Sequence, residues 1–194
     1  GAGTLVGPPP HPCARSKATD EDGYYSDVGF FGLTAHAWTR LVPDRIVDAF
    51  LTLGSCLVVG DAPGDPDCFC SATAWARGRR AVGLPAEAHV AGPPPKSIRH
   101  LFKEAELVDS AKVSGSRYDT VVLVDNDGQR IGAAAKAAMQ RARRVVVVDH
   151  HEVDPTRESL GLAPDTELLV WKISGADAAA LMTLATVLRG LDQA

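Results

Sequence analysis

The densest chemistry in this chain lies in Val145-Val146-Val147-Val148-Asp149-His150-His151. The β-branched run predicts a buried strand, and each of the next three side chains is a divalent-metal ligand by type. An apolar run followed by acids occurs twice more upstream. Gly60-Asp61-Ala62-Pro63-Gly64-Asp65-Pro66-Asp67 follows Cys56-Leu57-Val58-Val59, and Asp125-Asn126-Asp127-Gly128 follows Thr120-Val121-Val122-Leu123-Val124. In an open parallel sheet the carboxyl ends of the strands line one edge, and ligand groups collect there. Several carboxylates and the imidazoles of His150 and His151 would then share one crevice. Such a set of like charges repels unless cations neutralise it or the pKa values rise. Carboxylate with imidazole suits Mn2+ or Mg2+. Two such ions about 3.5–4 Å apart would clamp a phosphate and activate a water.

The elements that must position these groups follow from the pattern around them. Pro43 to Leu51 reads as a short amphipathic helix that ends by Gly54, with proline and an acid in its first turn. From there strands and helices alternate. Strands are expected at 56–60, 87–91, 120–124, 145–148 and 167–173, and helices at 69–78, 97–106, 130–143 and 176–188. That alternation predicts parallel βαβ units. The fold class expected is therefore α/β, a doubly wound, mainly parallel sheet with helices on both faces. Residues 43–194 form this domain. Residues 1–42 are expected to be an irregular extension, rich in proline (Pro8-Pro9-Pro10, Pro12) and aromatic residues (Tyr24-Tyr25, Phe30-Phe31). An exposed aromatic cluster there is a candidate docking segment for protein or RNA.

A length of 194 residues permits one sizeable core, or one domain with an extension. The net charge of −4 supplies no general attraction to nucleic acid or membrane surfaces. Local arginines (Arg77, Arg79 and Arg80; Arg141, Arg143 and Arg144) are the exceptions. No apolar run approaches the roughly 18 residues of a membrane span. The cysteines Cys13, Cys56, Cys68 and Cys70 lack zinc-site spacing. Cys56 is expected to pack in a strand, Cys68 and Cys70 to pack beside a helix start. A reducing compartment, cytoplasm or mitochondrial matrix, is the expectation. Gly1 in place of Met predicts that the true N-terminus is missing, so a removed targeting peptide would not be visible here.

The three strand ends resemble, in order and spacing, those of the DHH phosphoesterase superfamily. That group includes nano-RNases, RecJ-type exonucleases, family II inorganic pyrophosphatases and prune-type exopolyphosphatases. Residues Gly60 to Ser71 are similar to its first motif, Gly-His-x-x-x-Asp-x-Asp-x-x-x-Ser, with Asp61 in the His position. Asp125 at the end of Val121-Val122-Leu123-Val124 resembles the second motif, and Arg130-Ile131-Gly132 is similar to the Arg-x-Gly of the nano-RNase branch. Asp149-His150-His151 is the third. The resemblance covers roughly residues 55–190 and implies the metal ligands Asp61, Asp65, Asp67, Asp125 and His150, with Asp125 bridging two ions of Mn2+ or Mg2+. It implies that His151 faces the substrate phosphate and that Asp149 orients the imidazoles, the pair assigned to catalysis.

The resemblance also implies what is missing. Members usually supply a further Asp after the third motif, and Asp154, Asp165, Asp177 and Asp192 give no convincing match. They also carry a second domain that grips the substrate, and none is expected within these residues. For Asp65, Asp67 and Asp125 the plain alternative is helix capping, which suits Asp67 before an alanine-rich helix. The expected function is metal-dependent hydrolysis of a phosphodiester or phosphoanhydride in a short oligonucleotide, a nucleotide or a polyphosphate. The alternative is a catalytically degenerate subunit, structural or assembling, in a larger and RNA-containing organellar complex.

Overall fold

Five parallel strands form one sheet: β1 (Cys56–Val59), β2 (Ala86–His89), β3 (Thr120–Val124), β4 (Arg144–Asp149) and β5 (Glu167–Lys172), in the order β2-β1-β3-β4-β5. The structure is a computed structural model and describes residues 35–61, 63–103, 106–173 and 179–194. The proline-rich and aromatic stretch before residue 35, and Asp177, lie outside the described residues. Helices α1 (Ala35–Leu41), α2 (Asp44–Leu51), α3 (Pro66–Ala81), α4 (Ser110–Gly115), α5 (Ala133–Arg141) and α6 (Ala179–Gln193) complete the fold. Among the described residues no helix is long and apolar enough to cross a membrane.

Alternation along each strand divides the core. Val58, Val122, Val124, Val146 and Val148 pack with Trp38 of α1, Ile46 and Phe50 of α2, Phe69 and Trp75 of α3, and Met182 of α6. Leu57, Val59, Val121, Leu123, Val145 and Val147 pack on the other face with Val113 of α4, Met139 of α5 and Leu160. Both faces are covered, which explains why these strands read as continuous apolar runs. The expected doubly wound parallel sheet is the fold observed. Register then aligns the strand ends: Val59 pairs with Leu123, and Leu123 with Val147. Residues 60–61, 124–125 and 148–149 therefore lie side by side along one edge. Strand order reverses between β1 and β3, and ligand crevices of doubly wound sheets open at that switch point.

Several boundaries differ from the sequence expectation. Residues 35–41 form α1 rather than irregular chain, because Trp38 and Val42 are buried against the core. Helix α3 begins at Pro66, since Asp65 caps it and proline suits the first helical position. Helix α4 has no counterpart among the expected elements; Asp109 caps it through Lys112 N at 2.8 Å.

Within the helix expected over 97–106, the described residues form a single 3-10 turn, Arg99–Leu101. Side chains take its backbone groups: Arg77 Nη2 donates to Leu101 O, and Lys103 N donates to Glu106 Oε2. Glu106 also binds Arg77 Nε at 2.5 Å, which holds its carboxyl below the ordinary range. A depressed folded-state pKa stabilises above the unfolded value, and that contribution is lost as pH falls. Glu106→Gln is expected to cost about 1 kcal/mol near neutral pH, discounted because Arg77 is half exposed. The gap to wild type should close below about pH 4 in denaturant titrations. A gap independent of pH would show that the carboxylate charge is not the cause.

Candidate metal centre

Beyond β1, Gly60 and Gly64 let the chain fold tightly: a Cβ at Gly64 would sit 2.2 Å from Val90 Cγ1. The turn delivers Asp65 to the start of α3, where Oδ1 accepts from Cys68 N at 3.1 Å. Asp67, in the first turn of α3, reaches a different helix. Its Oδ2 accepts from Ala179 N and its Oδ1 from Ala180 N, each at 2.8 Å, so it caps α6. The capping role suggested for Asp67 at its own helix thus belongs to Asp65. Burial, and then the neighbouring Asp125, push the Asp67 carboxyl up.

Asp125 follows β3 with φ at 53°, the one non-glycine residue of positive φ among the described residues. Aspartate tolerates that left-handed region better than most residues, and backbone strain of this kind gathers at functional sites. The conformation leaves its carboxylate buried between two partners. Cys68 Sγ donates to Oδ2 at 3.0 Å, and His150 Nε2 lies 3.1 Å from Oδ1. His150 Nε2 is also 4.0 Å from Asp67 Oδ2. Asp149 is fully buried and accepts from His151 N at 3.2 Å and from His151 Nδ1 at 2.7 Å. This grip fixes the ring and leaves Nε2 for a ligand.

Two donor sets result. Asp125, His150 and His151 bring one ligand atom each within 4.8 Å of one another, and so do Asp65, Cys68 and Asp125. Asp125 belongs to both. Beside it Asn126, buried, has an Nδ2 with no hydrogen-bond partner among the described residues, a donor suited to an anionic oxygen. The donor chemistry fits a divalent cation held by Asp125, His150 and His151.

Asp61 does not join either set. Its Oδ2 lies 2.5 Å from Arg130 Nη2, so the carboxylate placed where the motif has His is neutralised by a guanidinium. The metal role expected for Asp61 therefore meets a competing partner. Arg130 was legible only as part of a motif, and its pairing with Asp61 was not. Cys68 was likewise expected only to pack. Burial, and then its hydrogen bond to Asp125, push its thiol up. Asp127 is a turn residue, its Oδ1 accepting from Gln129 N. Asp154 binds Lys172, Asp165 precedes β5, and Asp192 is exposed near the end of α6, so none of these supplies a further acid to the crevice. A cleft of about 880 Å³ lies at the opposite edge of the sheet, lined by Arg117, Arg143 and Asp119 among others. It contains none of the three motifs.

A family model for the DHH family, N-terminal domain, matches residues 55–190. The chain belongs to the DHH family. Curated proteins give no match to this DHH chain. Among solved structures it is similar to an exopolyphosphatase-related protein from Bacteroides fragilis, with a TM-score of 0.60 and 11% identity over 76% of this chain and 44% of that one. It is also similar to exonuclease RecJ bound to manganese, with a TM-score of 0.48, 18% identity, and 79% and 39% of the two chains covered. For RecJ from Thermus thermophilus in complex with Mn2+ the values are 0.42, 18%, 78% and 21%. The chain spans under half the length of each of these proteins. The DHH domain has a phosphoesterase-type fold.

Proposed function

We propose that this DHH domain is a metal-dependent phosphoesterase that hydrolyses a phosphodiester or phosphoanhydride. The observation that carries the reading is the convergence of Asp125, His150 and His151 within 4.8 Å past the carboxyl ends of β3 and β4, beside the strand-order switch between β1 and β3. A bound divalent cation would supply Lewis-acid polarisation of a phosphoryl oxygen and a lowered water pKa. The chain's own groups do the rest. Asp125 and His150 would hold the cation, and Asp149 fixes the His151 ring through Nδ1, which leaves Nε2 to meet the cation or the substrate. Asn126 Nδ2 is a spare donor for a phosphate oxygen. Arg130-Ile131-Gly132 favours short oligonucleotides and nucleotides over inorganic polyphosphate. Mn2+ suits the mixed oxygen and nitrogen set better than Mg2+.

The test is hydrolysis of a 5′-phosphorylated dinucleotide, a nucleoside triphosphate and inorganic polyphosphate with Mn2+, in wild type and His150→Ala. The expected result is turnover of the dinucleotide that falls at least about 100-fold in the variant. Equal turnover in both proteins would remove His150 from the site.

A second reading rests on two contacts of the acids. The Arg130 guanidinium occupies Asp61, and both Asp67 oxygens accept amides of α6. Those bonds hold acids without a metal ion, as a degenerate subunit of a larger, RNA-containing assembly would. Absence of turnover across the panel, together with stable co-purification of partners, would favour it.

A further inference from the structure

One group in the crevice is of a different chemical kind from the rest. Cys68 is 1% exposed, and its Sγ donates to Asp125 Oδ2 at 3.0 Å and accepts from Asp61 N at 3.2 Å. Asp65, Cys68 and Asp125 place a sulfur and two carboxylate oxygens within 4.8 Å of one another. Asp125 links this set to His150 and His151. A position that brings a thiol proton against a buried carboxylate, with a second carboxylate beside it, is where a cation can replace that proton.

We propose that Cys68 is a ligand in this centre and gives it a preference for thiophilic divalent ions, Zn2+ or Co2+, over Mn2+ and Mg2+. The inference rests on the metal-dependent reading above and extends it to the identity of the ion. Binding forms the sulfur–metal bond, breaks the Sγ–H bond and releases one proton to solvent. Asp125 Oδ2 loses its donor from Cys68 and becomes available to the same ion. Soft thiolate selects zinc-like ions, whereas carboxylate and water alone suit Mg2+ and Mn2+, and a coordinating thiol is deprotonated outright.

The experiment is a Co2+ titration of the metal-free full chain, followed by near-ultraviolet absorption and proton release, with Zn2+ and Mn2+ in competition. The expected result is a sulfur-to-cobalt charge-transfer band with one proton released per ion. That band should persist in Cys13→Ser, Cys56→Ser and Cys70→Ser and vanish in Cys68→Ser, with the Zn2+-to-Mn2+ affinity ratio falling at least tenfold in Cys68→Ser. Cobalt binding without the band in wild type overturns the ligand role of Cys68 and leaves the metal-dependent reading intact. A band that survives Cys68→Ser does the same. No binding of Co2+, Zn2+ or Mn2+ to wild type overturns both. Because the wild-type spectrum and the variants of the other three cysteines decide the question, poor folding of Cys68→Ser does not blunt the test.

Discussion

Asp125→Asn is expected to cost at least about 100-fold in divalent-metal affinity, beyond the 10–100-fold typical of losing an outer partner, while leaving the fold intact. The substitution keeps the shape of the residue, and asparagine, like aspartate, accepts the left-handed backbone that φ 53° requires. Both neighbours can still be served. The amide oxygen accepts from Cys68 Sγ, and the amide nitrogen donates to neutral His150 Nε2. What disappears is the charge shared by both donor sets. That loss also relieves Asp67, whose carboxyl is pushed up by burial first and by Asp125 second. Stability should therefore hold or rise, by about 1 kcal/mol, the usual exchange when a strained functional charge is neutralised. Calorimetric Mn2+ titration and urea unfolding of the same sample read both effects. Affinity within tenfold of wild type would show that Asp125 is not the shared ligand, and a large loss of stability would make its role structural.

What the sequence revealed and what it hid follow from the range of the interactions. β3 is found at its predicted bounds because Val121 to Val124 are buried on both faces and leave an unbroken apolar run. Asp65, Asp125 and His150 were legible because each follows such a run closely. Side chains satisfied by distant partners were not. Asp67 caps a helix 112 residues away, and Cys68 meets an oxygen 57 residues away. Nothing local marks either contact. Residues 97–106 failed for a related reason: helical propensity there loses to Arg77 and Glu106, which take the backbone groups that a helix would pair internally. Trp38 shows the converse, since a short segment becomes helical when its aromatic side chain finds the core.

The arginines near the end of α3 illustrate the same limit with the largest consequence for stability. In sequence Arg77, Arg79 and Arg80 form one basic patch, a local candidate for nucleic acid. In the fold their tasks diverge: Arg77 binds Glu106, Arg80 donates to Ala86 O at 2.8 Å and lies 3.7 Å from Glu106, and Arg79 is buried at 1% exposure. Arg79 closes the end of α2. Its Nη1 donates to Phe50 O and Ala49 O, and its Nη2 to Thr52 O and Gly54 O, carbonyls that α2 and the turn into β1 leave without partners. Burial pushes the guanidinium pKa down, yet it stays protonated. Arg79→Met fills the volume but orphans these acceptors, each worth about 1–3 kcal/mol when buried and unpaired. Water reaches the partly exposed Thr52 and Gly54, so the expected total is about 3–5 kcal/mol. For a domain of this size that loss lowers Tm by roughly 10 °C. Arg79→Lys restores charge but not the planar fork, so it should recover less than half of the loss. If Arg79→Met unfolds within about 1 kcal/mol of wild type, solvent rather than the guanidinium satisfies the end of α2, and the assignment of Arg79 as its cap is wrong.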